Sequence, residues 1–67
     1  MMTIKVNGEH REFAEATTLQ QLIHSLGLES KVMAAAVNME IVKQDAWDQA
    51  VLSDGDTIEL LDFVGGG

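Results

Sequence analysis

The sequence has no cysteine, no proline and no tyrosine, and of its 67 residues only four are basic. Without cysteine there is neither a disulfide framework nor a thiolate metal site. Stability must come from burying the apolar residues, which make up 46% of the chain. The same absence leaves the redox compartment unspecified. Eleven acidic residues stand against the four basic ones, giving a formal net charge of -7. Repulsion from phosphate backbones argues against a nucleic acid partner, and a basic protein surface is the better complement. No apolar run approaches the ~20 residues that span a bilayer. The opening MMTIKVNGEH also lacks the basic cluster and apolar core of a targeting peptide. A soluble, cytoplasmic protein without a membrane partner is expected, with one domain and one small core.

The residues that are present set an element order. TIKVNGEHREF alternates Ile4 and Val6 with Thr3 and Lys5, then reaches Asn7-Gly8, the dipeptide best suited to a type I′ turn. A β-hairpin is predicted. In TTLQQLIHSLG, Leu19, Leu22, Ile23 and Leu26 form one apolar stripe at helical spacing. Thr17 with Gln20, or Thr18 with Gln21, can make a capping box at its start, and Gly27 suits the C′ position at its end. VMAAAVNMEIV reads as a strand, a tight turn near Asn38 to Glu40, and a short strand at Ile41-Val42. This assignment rests on Val32, Val37 and the turn, since Met33 to Ala36 taken alone also suits a helix.

Trp47 and Val51 are spaced as one helical turn and are expected to form a small satellite core together. Ser53-Asp54-Gly55-Asp56 is a strong turn signal before the last strand, TIELLDF. The order β-β-α-β-β-β predicts an α+β fold, a mixed sheet with one helix packed across it, with the first and last strands parallel in the centre. That is the β-grasp architecture.

Catalytic and metal-binding constellations are not evident. His10, among charges on the second strand, and His24, off the helix stripe, are not at metal-ligand spacing. Asp54 and Asp56 lack the further ligands of a calcium loop, so a plain turn is expected. No serine or threonine has a matching base and acid, and no glycine loop cradles phosphate ahead of a helix.

The end, FVGGG, is different. Glycines cannot add to a core, and they lose the most freedom on ordering, so the tail is either idle or the working part. Residues 1–63 are expected to form the domain and 64–67 a flexible tail. Val64 to Gly67 extend on the order of 13 Å at ~3.3–3.6 Å per residue, enough to thread a narrow cleft and deliver a terminal carboxylate. A cleft that admits bare backbone excludes every residue with a Cβ. The ordering cost, roughly 1–2 kcal/mol per residue, has to be offset by a docking surface on the domain. Leu61 breaks the alternation of Ile58 and Leu60 and is expected on the open sheet face, with Phe63 and Val64 beyond it. Ala34 and Ala36 flatten that face, unless these groups are buried within the domain.

FVGGG, VLSDGDTIEL and AVNMEIVKQDAW together resemble the sulfur carrier proteins of thiamin thiazole biosynthesis, the ThiS type, which are ubiquitin-like β-grasp domains. The resemblance covers nearly the whole chain. It implies a sulfur-donating co-substrate and not an enzyme. An E1-like activating enzyme would use ATP to adenylate the carboxylate of Gly67. Sulfur from a persulfide donor, a cysteine desulfurase or rhodanese-like protein, would displace AMP to give a thiocarboxylate, and thiazole synthase would consume it. No cofactor or metal is implied on the carrier itself. Gly66 and Gly67 match the family's Gly-Gly, and Gly65 matches a third glycine that many members carry.

One departure is Lys43, where many members have proline, which bears on a local turn. Carriers for molybdopterin and for cysteine or homocysteine biosynthesis share the fold and the Gly-Gly end. The absence of proline and the V-N-M-E-I-V stretch favour the thiamin type. A non-covalent β-grasp interaction module with an idle tail is the alternative of another class.

Overall fold

The computed structural model describes residues 1–62 of the chain. Strands β1 (Met2–Val6) and β2 (Glu9–Phe13) form the opening hairpin, followed by helix α1 (Leu19–Ser25). Strands β3 (Val32–Val37) and β4 (Glu40–Val42) form a second hairpin. A 3-10 helix, Gln44–Gln49, then leads to β5 (Thr57–Asp62). The five-stranded sheet has the order β2-β1-β5-β3-β4. β5 lies between β1, to which it is parallel, and β3, to which it is antiparallel. The expected element order and the central parallel pair are both present; the 3-10 helix is an added turn. Phe63 and the predicted domain boundary after it lie outside the described residues.

Local chemistry accounts for the elements. Asn7 and Gly8 have φ of 49° and 88°, which allows a two-residue turn between Val6 and Glu9. Of the two possible capping boxes, Thr18 with Gln21 forms. The Thr18 hydroxyl accepts from the Gln21 N–H at 3.2 Å, and the Thr18 N–H donates to Gln21 Oε1 at 3.0 Å. The helix ends in a Schellman motif around Gly27, φ 72°. The Gly27 N–H donates to the His24 carbonyl, and the Leu28 N–H donates to that of Ile23.

Met2, Ile4 and Val6 from β1, Leu19, Leu22 and Ile23 from α1, and Ile58 and Leu60 from β5 meet in one core. Each such aliphatic side chain contributes roughly 1.5–3 kcal/mol by leaving water. Trp47 is buried in that same core, its Nε1–H donating to the Val42 carbonyl at 2.9 Å. The expected satellite core of Trp47 and Val51 does not form: Val51 is 63% exposed and Leu52 is buried instead. The reason is that the 3-10 helix stops before Val51. The chain is extended there, with Val51 bridging Thr18, so alternate side chains point in and out.

Candidate functional site

The last strand carries the chain toward its glycines, so its surroundings decide what the tail can do. Ile58 and Leu60 point into the core while Leu61 is 60% exposed on the opposite, uncovered face of the sheet. Ala34 lies beside Leu61 and Ala36 beside Glu59, as the antiparallel register of β3 and β5 dictates. Ile41, 71% exposed, sits opposite Ala36 and closes the far side. The result is a shallow groove with an alanine floor between Leu61 and Ile41. The expectation that Leu61, Ala34 and Ala36 share the open face holds. Ile41 was not foreseen, although the two-residue turn at Asn38-Met39 forces its register and so could have revealed it. The other half of the same face is polar: Thr3 and Lys5 of β1 lie opposite Glu12 and His10 of β2.

Backbone groups of β5 are held from both edges by asparagine side chains. The Leu60 N–H donates to Asn7 Oδ1 at 2.8 Å, and Asn7 Nδ2 donates to the Leu60 carbonyl at 3.3 Å. On the other edge the Thr57 N–H donates to Asn38 Oδ1 at 2.9 Å.

The remaining sequence candidates resolve into structural roles. The Asp54 carboxylate accepts from the Thr3 N–H at 2.7 Å. That of Asp56 accepts from the Ser53 N–H at 2.8 Å and from Asn38 Nδ2 at 3.1 Å. Both are engaged in holding the turn. His24 is exposed, its Nδ1 3.4 Å from Glu29 Oε1, and His10 is exposed on β2. Among the described residues no three His, Cys, Asp or Glu side chains cluster as a metal site would require. No helix there is long and apolar enough to cross a membrane. Phe63, Val64, Gly65, Gly66 and Gly67 lie outside the described residues.

A family model described as the ThiS family matches residues 4–67, nearly the whole chain. The chain belongs to the ThiS family. The sulfur carrier protein ThiS of Bacillus subtilis is 35% identical over 65 residues, covering 96% of this chain and 98% of that protein. The crystal structure of a thiamine biosynthesis protein, ThiS, from Geobacter metallireducens matches with a TM-score of 0.81 and 31% identity, over 98% of this chain and 100% of that one. A thiazole synthase of Paramagnetospirillum magneticum is 38% identical over 66 residues, but the chain spans only 20% of that protein's length. The fold is therefore the ubiquitin-like β-grasp expected from the element order. A member of the ThiS type is a carrier protein and not a catalyst.

Proposed function

We propose that the chain is the sulfur carrier of thiamin thiazole formation, with Gly67 as the C-terminal residue whose carboxylate takes up sulfur. The observation that carries this reading is the family match running through residue 67, which takes in Gly65, Gly66 and Gly67. A carboxylate is a poor acceptor for a sulfur nucleophile. An E1-like enzyme joins it to AMP from ATP, releasing pyrophosphate, and the mixed anhydride then has a good leaving group. A persulfide from a cysteine desulfurase or rhodanese-like donor attacks the acyl carbon and AMP departs. A thiol reduces the resulting acyl disulfide to free the thiocarboxylate. Thiazole synthase consumes it and returns the carboxylate. All charge stabilisation at the reacting carbon belongs to the partner enzymes.

Docking falls to the apolar half of the open face. Leu61 precedes Phe63 and Val64 in sequence, and with Ala34, Ala36 and Ile41 it offers apolar area on the open face of the strand from which the tail continues. That area offsets the entropy lost when Gly65 to Gly67 are threaded. The thiazole pathway is favoured over molybdopterin or cysteine and homocysteine carriers by one further similarity. A segment of a thiazole synthase is 38% identical to this chain.

The test is the intact mass after incubation with ATP, the activating enzyme and a persulfide donor, beside a Gly67-deleted control. The expected gain equals the exchange of one oxygen for sulfur, in the full chain only, and it is lost again on adding thiazole synthase and its substrates. No gain, with an activating enzyme proven on another carrier, would favour the non-covalent interaction module. A gain that thiazole synthase does not discharge would favour the other carrier pathways.

A further inference from the structure

On its β1 side, β5 runs out of backbone neighbours before it ends. Val6, the last residue of β1, is level with Ile58, and the chain then turns away at Asn7-Gly8. The Asn7 N–H still donates to the Ile58 carbonyl at 2.9 Å. In a continued parallel ladder the carbonyl of residue 7 would accept the next amide, that of Leu60. The left-handed φ of Asn7 removes that carbonyl from reach, and its side chain takes over both bonds to Leu60. One residue type meets both demands. Asparagine tolerates the left-handed conformation and offers a donor and an acceptor on one rigid plane, which aspartate and glycine do not. Leu60 is 7% exposed, so its peptide groups have little water to fall back on.

Resting on the carrier reading above, we infer that Asn7 is a positioning residue for the tail. It anchors the end of β5 at Leu60 and so fixes the point from which the C-terminal segment reaches the activating enzyme. From Leu60 to Gly67 there are seven residues, an extended reach of about 23–25 Å. Releasing Leu60 on this edge loosens the origin of that reach, which lowers the fraction of docked complexes with the carboxylate correctly aimed. Asn7 also lines the docking groove, but the apolar side chains offered for docking, Leu61, Ala34, Ala36 and Ile41, stand on β3, β4 and β5 and are paired without it.

The test compares Asn7→Gly with Asn38→Gly. Both keep a residue that accepts positive φ, and both remove an asparagine side chain that holds β5, one near its end and one at its start. For Asn7→Gly the expected result is that the Leu60 amide exchanges with solvent at least tenfold faster than in Asn38→Gly. Adenylation with the E1-like enzyme is expected to show kcat lowered about fivefold to tenfold, with KM for the carrier within about twofold of the unsubstituted protein. Asn38→Gly keeps both constants. Equal Leu60 exchange in the two variants, or equal kcat, overturns the inference. Failure of the unsubstituted protein to be adenylated would instead overturn the carrier reading, and the exchange measurement would still decide whether Asn7 anchors the strand.

Discussion

Asn7 and Asn38 occupy the same position in two hairpin turns, with φ of 49° and 51°, and both reach sideways to the same strand. Their surroundings differ. Asn38 holds Thr57 at the exposed start of β5, and its own Nδ2 donates to the Asp56 carboxylate. Asn7 holds Leu60 near the other end, in a part-buried site with no second side chain bonded to it among the described residues. A turn residue can therefore serve the turn alone or serve the strand beside it, and the strand's need for partners decides which. β5 is flanked along its later residues by β3 on one side only, so the Asn7 contact fills a gap that the Asn38 contact does not face.

Removing the side chains should separate the two roles in stability. Asn7→Gly is expected to cost about 2 kcal/mol in urea unfolding, since part-buried peptide groups lose their partners. Asn38→Gly should cost about 0.5–1 kcal/mol, because water replaces exposed bonds. Equal costs would break the comparison.

The second turn positions offer a sharper contrast, because Gly8 stands at φ 88° in one hairpin and Met39 at 72° in the other. Met39 is 91% exposed and gains little from burial. Met39→Gly should stabilise by about 1 kcal/mol and Gly8→Ala should destabilise by about the same amount, both read from the urea midpoint. The smallest effect is the coupling between the grips. They bond different peptide groups of β5, so Asn7→Gly and Asn38→Gly together should sum to within about 0.5 kcal/mol. A larger deviation in a double-mutant cycle would mean that the strand responds as one unit.

Much of this was legible beforehand where a residue's chemistry is local. Asn7-Gly8 announced the first turn, Thr18 and Gln21 the helix start, and Gly27 its end, because each acts on neighbours within a few positions. Leu61 could be assigned to the open face because strand periodicity is also local. Val51 was misread because helical spacing from Trp47 was extended past a point where the chain becomes straight. The second task of Asn7 could not be read at all. Its partner Leu60 is 53 residues away in sequence, and the turn already explained the asparagine.

The proposed docking on the apolar half of the open face has a consequence for turnover. Leu61, Ala34, Ala36 and Ile41 make one continuous strip, while Thr3, Lys5, His10 and Glu12 across the sheet offer nothing similar. If, as proposed, the activating enzyme and the synthase both read this strip, they must compete for it and the carrier would visit them in turn. Throughput would then depend on how quickly each lets go, and a substitution that tightened one complex would slow the whole cycle.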